Sequence, residues 1–260
     1  MFTPIGFFAL QGVPVPFSDD LLAQYDASDP STITLSGTNV TAWAPLVNED
    51  SFPTLQPATA AYPQYTSSIA LSFPASSNIF LQGDTTPITG NRNNGAGYGT
   101  TAMAYWDVPM VYPPTYKGFA FQMITSVSNT FPSQQLFINE GGSNNNYQMD
   151  RWVDSAAVGA TDRYTSYTPG YNIVVTSYDK DNGFKSWYNN TLVMNNTTNF
   201  PSTGWTGGGP PKLSLMSDYR TNISFLKVGG RAYELLFWNK VSSDADATEI
   251  YNYLYNKHFV

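Results

Sequence analysis

Cleaving bonds with side chains needs particular groups at particular spacings, and this chain is poor in them. Glycoside hydrolysis takes two carboxylates about 5–9 Å apart, one of them held protonated by its surroundings. The chain carries four glutamates, Glu49, Glu140, Glu234 and Glu249. Glu249 falls on the polar side of a C-terminal helical pattern, and Glu234 is expected to close a sheet edge. Asp150 and Asp154, which flank Arg151-Trp152-Val153, come nearest to a carboxylate pair. On a strand they share a face but stand ~13 Å apart at about 3.3 Å per residue, which is too far. A histidine-based triad has only His258 to draw on. That residue is expected to pack at a helix end and favour the helix dipole. Serine-hydrolase, histidine-dependent nuclease and histidine-ligated zinc mechanisms fall with it. There is no cysteine, hence no disulfide, thiolate metal site or thiol nucleophile. Gly95-Ala96-Gly97-Tyr98-Gly99 is glycine-rich but opens no helix, so it does not cradle phosphate.

Two other chemistries fit better. Hard cations want several oxygens from loops, and Asp179-Lys180-Asp181-Asn182-Gly183 supplies acids. This segment reads first as a hairpin turn, and structural calcium is the lesser expectation; no other cofactor is implied. Sugar binding uses aromatic rings against C–H-rich sugar faces, with amide, carboxylate and backbone groups on the hydroxyls. The side chains suited by type to glycan or subunit contact are Tyr98, Trp106, Asp107, Asn144, Asn146, Tyr147, Arg151, Trp152, Trp205 and Tyr219. Tyr98, Trp106 and Asp107 are read as belonging to a loop cluster that extends to Tyr116. An oligomer interface, where Tyr, Trp and Met are enriched, is the competing use.

The elements that must position these groups are mostly strands. Gly118 to Val127, Gln134 to Ile138, Tyr147 to Val153, Tyr171 to Tyr178, Phe184 to Tyr188, Lys212 to Met216 and Arg231 to Trp238 alternate or are β-branched and aromatic, with turn residues between them. Asn182-Gly183 is expected to form a type I′ hairpin turn. Leu21–Tyr25 suits either strand or helix. The C-terminus predicts one helix, capped by Ser243 with Asp246 closing a capping box. Its buried face is expected to carry Ala247, Ile250, Tyr251, Leu254 and His258. Antiparallel strands with one terminal helix mean an all-β sandwich of two sheets.

Composition sets the wider limits. With 42% hydrophobic and 15% aromatic residues among 260, the chain can build a large core. Only 12% of residues are charged and the net charge is −7. Nucleic acid is disfavoured, because phosphate binding needs clustered Lys and Arg. Anionic membrane surfaces are disfavoured likewise. Residues 1–18 read as an extended arm, interrupted by Pro4, Pro14 and Pro16, ahead of a single domain over 19–260. The arm's apolar residues can run over the domain's own body or dock on a neighbouring subunit. It lacks a basic n-region and is too broken to span a bilayer.

The order of segments resembles a known family. Leu22 to Asp29, Ile33 to Gly37 and Val40 to Trp43 look like the opening of laminin-G-like domains in the concanavalin A-like lectin/glucanase superfamily. Tyr171 to Asp179 resembles the family strand that reads W-H-H-V-A-x-T-x-D. Ser186 to Leu192 resembles its Y-V-N-G turn, with Asn190 in place of glycine. Phe225 to Gly230, Tyr233 to Lys240 and the Ser242–His258 segment resemble its closing strand and helix. The likeness runs over roughly 20–260, and 45–115 match poorly. It implies a jelly roll of two antiparallel sheets. The glucanase branch carries E-x-D-x-x-E on one strand, and no glutamate here begins that motif.

What the resemblance implies, with the composition, is a non-enzymatic virion surface protein of a phage or similar virus. Such a capsid decoration or tail-fibre module would contact other virion subunits and host glycans, as a homo-oligomer on the particle surface. A free or cell-surface lectin and a divergent glycoside hydrolase are the alternatives.

Overall fold

The computed structural model describes residues 14–48, 52–57, 60–66, 69–74, 79, 81–84, 98–107, 118–124, 133–138, 147–152, 162–164, 170–179, 182–197, 212–215 and 230–260. The first strands are β1 (Leu21–Asp26), β2 (Ile33–Ser36), β3 (Asn39–Trp43), β4 (Val47–Asn48), β5 (Gln56–Pro57) and β6 (Gln64–Thr66). The middle ones are β7 (Ala70–Phe73), β8 (Leu81–Asp84), β9 (Tyr98–Asp107), β10 (Gly118–Ile124), β11 (Ser133–Ile138) and β12 (Tyr147–Trp152). The last are β13 (Asp162–Tyr164), β14 (Gly170–Asp179), β15 (Gly183–Tyr188), β16 (Thr191–Asn196), β17 (Lys212–Leu215) and β18 (Gly230–Trp238), followed by helix α1 (Asp244–His258).

These strands form two antiparallel sheets, as the alternation predicts. One has the order β16-β15-β14-β9-β18-β7-β6-β3-β2, with β1 attached at β18 and β4 paired to β1; the other runs β13-β12-β11-β10-β17-β8-β5. Between the layers lies a core in which Tyr25, Trp43, Leu71, Met103, Leu235 and Phe237 of the larger sheet meet Leu81, Leu213 and Leu215 of the smaller. Such burial is the main stabilising term. A second apolar layer lies on the outer face of the larger sheet, under α1, where Ala247, Ile250, Tyr253 and Leu254 pack on Ala102, Ala104, Ile173, Val175 and Leu236. Small residues at 102 and 104 let the helix approach β9 closely.

Both ends of α1 are clipped to that face. At its start the predicted capping box is present between Ser243 and Asp246, and the Thr100 hydroxyl meets the Ser242 hydroxyl at 2.8 Å. The buried face departs from expectation at one position. Tyr253 is buried where Tyr251 was expected, and Tyr251 is half-buried.

Three other expectations are corrected. Tyr98–Asp107 is not part of a loop cluster but a ten-residue strand at the centre of the larger sheet, between β14 and β18. Glu234 does not close an edge, because β18 is an interior strand. Asn182-Gly183 is not a type I′ pair: the Asn182 amide donates to Asp179 O, only Gly183 has a positive φ (+88°), and Asp179 pairs with Gly183 across three residues. The two-residue turn of that kind is Asn189-Asn190, with φ of 45° and 62° between paired Tyr188 and Thr191. That placement agrees with Asn190 standing where the resembling turn has glycine, since asparagine tolerates the left-handed region best among non-glycine residues. Leu21–Tyr25, open between strand and helix, lies in β1. Ahead of it, Pro16 O accepts from Trp238 Nε1 at 2.9 Å and Lys240 lies 3.5 Å over the Phe17 ring, so residues 14–17 are seated on this chain's own outer layer. Residues 1–13 of the expected arm lie outside the described residues.

Candidate functional site

Two groups of polar side chains stand out, one sealed and one exposed. The sealed group arises from a bulge. Along β18 the partner on one side changes from β7, paired at 230–232, to β1, paired from Glu234 onward. At that junction the register against β9 slips between Ala232 and Glu234. A bulge places two successive residues against one, so Tyr233 and Glu234 both face α1. Gln24 and Asp26 of β1 lie beside them, and Tyr253, Lys257 and His258 come down from the last turn of the helix.

Every oxygen of Glu234 is engaged. Its Oε1 accepts from Gln24 Nε2 at 2.6 Å and from Tyr253 OH at 2.8 Å. Its Oε2 lies 2.8 Å from Lys257 Nζ and accepts from His258 Nε2 at 2.6 Å. Lys257 also reaches Asp26 Oδ2 at 2.6 Å, while Asp26 Oδ1 accepts from the Ser28 amide and hydroxyl. Burial pushes the Glu234 carboxyl up, but the His258 hydrogen bond and the Lys257 charge outweigh it and hold it below its ordinary value. Burial pulls Lys257 down, and Glu234 and Asp26 more than reverse that. Burial and the Glu234 charge push the Tyr253 phenol up.

This knot contains the group of His, Asp and Glu atoms close enough together for a metal among the described residues: Asp26, Glu234 and His258, within 4.8 Å of one another. The donor set does not fit an ion, because the Lys257 ammonium already stands between the two carboxylates. Nor does the knot suit acid–base chemistry on a sugar. Glu234 is fully buried, and its carboxyl is held ionised where a general acid needs a raised pKa. His258 therefore does more than its expected helix-end packing, since it ties the helix to the central strand.

The exposed group lies on the same face, where α1 ends. Register carries one row of side chains across six strands. Tyr171 of β14 pairs with Trp106 of β9, Trp106 with Arg231 of β18, Arg231 with Ser72 of β7, Ser72 with Gln64 of β6, and Gln64 with Asn39 of β3. Direct cross-strand partners point to the same face, and five strand spacings give a row ~24 Å long. Tyr171 is 57% exposed, with its ring 4.7 Å from that of Phe259 and 6.2 Å from that of Tyr233. Arg231 lies over the Trp106 ring at 5.0 Å, and Gln64 Nε2 donates to Asn39 Oδ1 at 3.3 Å. Tyr255, 42% exposed, continues the aromatic surface along the helix and stacks on Tyr251. Ring faces beside amides, a hydroxyl and a guanidinium make a surface able to hold a chain of hydroxylated rings.

The residues singled out from sequence fall in different places. Trp106 lies in the row, and Asp107 follows it at the end of β9, paired on both sides with glycines, Gly170 and Gly230. Tyr98 stands at the opposite end of the same strand. Tyr147, Arg151 and Trp152 lie on β12 of the smaller sheet. Asn144, Asn146, Trp205 and Tyr219 lie outside the described residues, as does Asp154. Sequence reasoning passed over Tyr171, Arg231, Ser72, Gln64 and Asn39 as contacts. One signal was present: β14 and β18 both open with glycine followed by a large polar side chain, Gly170-Tyr171 and Gly230-Arg231.

No family model and no curated protein sequence matches the chain. Its fold is similar to solved β-sandwich domains. One is the binding domain of botulinum neurotoxin serotype D/C, with TM-score 0.62 and 10% identity over 91% of this chain and 52% of that one. Another is the binding domain of botulinum neurotoxin DC in complex with SialylT, with TM-score 0.61 and 8% identity over 91% and 52%. A third is the serotype D ligand-binding domain in complex with N-acetylneuraminic acid, with TM-score 0.58 and 10% identity over 90% and 51%. The chain thus spans about half the length of the solved domains it matches, and the likeness establishes the antiparallel β-sandwich fold.

Proposed function

We propose that the chain is a non-catalytic saccharide-binding module, and that the row from Tyr171 to Asn39 is where the saccharide lies. The observation that carries this reading is the register that sets Tyr171, Trp106 and Arg231 side by side on the outer sheet face beyond the end of α1. Aromatic rings supply the stacking surface for sugar C–H groups, and the polar end of the row supplies hydrogen-bond partners for hydroxyls. Domains of the same fold that were solved with sialyl sugars support the class of ligand. The sealed state of the Glu234 knot supports binding without turnover. A panel of oligosaccharides tests the reading. The intact chain retains a subset without cleaving it, and Trp106→Ala lowers that affinity at least tenfold while leaving the melting temperature within a few degrees. Retention unaffected by Trp106→Ala, or release of shorter sugars, overturns it.

The setting we propose is the surface of a virus particle, as a capsid-decoration or tail-fibre module that uses its apolar arm on neighbouring subunits. It rests on the family resemblance and on the composition of residues 1–18. Because Pro16 and Phe17 are seated on the chain's own outer layer, only residues 1–13 remain for a neighbour. Truncation after residue 13 therefore dissociates the oligomer without unfolding the domain. A full chain that is monomeric at every concentration contradicts this setting and favours a free lectin.

A further inference from the structure

We infer that Arg231 anchors an anionic group, a carboxylate or a sulfate, of the saccharide, so that the row selects acidic over neutral glycans. The inference rests on the saccharide reading above and concerns what part of the sugar is recognised. Its basis is an imbalance of charge at one position. Among the described residues, Lys185 meets Asp244 at 3.1 Å, Lys240 meets Asp246 at 3.2 Å, and Lys257 meets Asp26 at 2.6 Å. Arg231 has no such carboxylate partner among them, in a chain with 19 acidic and 12 basic residues.

The guanidinium is nevertheless held in place. It lies over the Trp106 ring at 5.0 Å, and Trp106 itself packs on the apolar layer under α1. Stacking uses one face of the plane and none of its edge donors. A guanidinium has five N–H donors in a planar fork, and a parallel pair of them matches two oxygens of a carboxylate or sulfate. An arginine already ordered by a ring loses less side-chain entropy on binding than a free one. The Tyr171 position is two strand spacings, ~10 Å, from that of Arg231. An acidic group on Arg231 and a neighbouring ring against Tyr171 can therefore be held together. The overall charge of −7 repels anions at long range, so preference for an acidic sugar has to come from a local cation of this kind.

The test pairs each acidic oligosaccharide with its neutral parent: a hexuronate or sialyl oligosaccharide with its carboxyl-reduced form, and a sulfated one with its desulfated form. Equilibrium binding is measured for the full chain, Arg231→Gln and Arg231→Lys, with melting curves to confirm folding. The expected result is at least tenfold tighter binding of one acidic member than of its parent. That ratio falls to about one in Arg231→Gln and to an intermediate value in Arg231→Lys, which keeps the charge and loses the fork. The pair that shows the effect identifies carboxylate or sulfate. Equal affinity for acidic and neutral members, or an acidic preference that survives Arg231→Gln, overturns the inference and leaves the saccharide reading standing. Absence of binding to every member overturns both.

Discussion

At the scale of single residues, Glu234 is the most constrained side chain among those described. A carboxylate without solvent contact survives only when its lone pairs are all met, and here Gln24, Tyr253, Lys257 and His258 meet them. Replacing it by glutamine leaves Lys257 with Asp26 alone and opposes amide hydrogens to donors, at a cost of about 3 kcal/mol. For a domain of this size that corresponds to a fall in melting temperature of about 6–12 °C. The pH dependence follows from the direction of the shift. Because the folded pKa of Glu234 lies below its unfolded value of about 4.3, its contribution is complete above that pH and is lost as pH falls through the folded pKa. The Lys257 shift is upward, so its contribution is complete below about 10.4 and is lost as pH rises through the folded value. Melting temperatures recorded between pH 2 and 8 are expected to fall on the acid side for the native chain and to fall less steeply for Glu234→Gln. Superimposable profiles would refute a stabilising role for the ionised carboxylate.

At the scale of elements, two neighbouring hairpin turns obey different rules. Gly183 has φ +88°, and a Cβ there would stand 1.8 Å from Asn196 O, so Gly183→Ala must move backbone. Asn190 has φ +62°, which glycine adopts as readily, and glycine there gives up only the exposed hydrogen bond from Thr248 Oγ1 to Asn190 Oδ1. Thermal melts should show Gly183→Ala destabilised by at least about 3 kcal/mol and Asn190→Gly changed by less than about 1 kcal/mol. Equal effects would mean that the close approach at Gly183 is relieved cheaply. The strands that read clearly from sequence, β14, β15 and β18, are β-branched or aromatic and bounded by turn residues, and α1 announces itself by its capping box. β9 does not read clearly. Its Ala102 and Ala104 carry little strand signal, because buried positions beneath a close-packed helix favour small side chains, and Gly99 weakens the pattern further. The bulge at Glu234 was equally hidden. A period-two pattern assigns alternate faces and has no means of showing where the parity slips.

At the scale of the whole molecule, the proposed binding surface is a product of topology. Asn39 and Arg231 are far apart in sequence and come into one row only because β3, β6, β7, β18, β9 and β14 are adjacent in the larger sheet. No local motif records such a row, which is why Trp106 alone of its members was a sequence-based candidate. The helix completes the arrangement by covering one part of the face and ending at Phe259 beside Tyr171. The helix roofs part of one sheet face, and Glu234, Asp26, Lys257 and His258 hold that roof in place. The most direct test uses the indole N–H signals of the six tryptophans in the amide-proton spectrum during titration with a retained oligosaccharide. The Trp106 signal, assigned through Trp106→Phe, should move in proportion to occupancy, while those of fully buried Trp43 and Trp238 stay still. Movement confined to Trp152 or Trp205, with Trp106 unmoved at saturation, would place the sugar elsewhere and contradict the account.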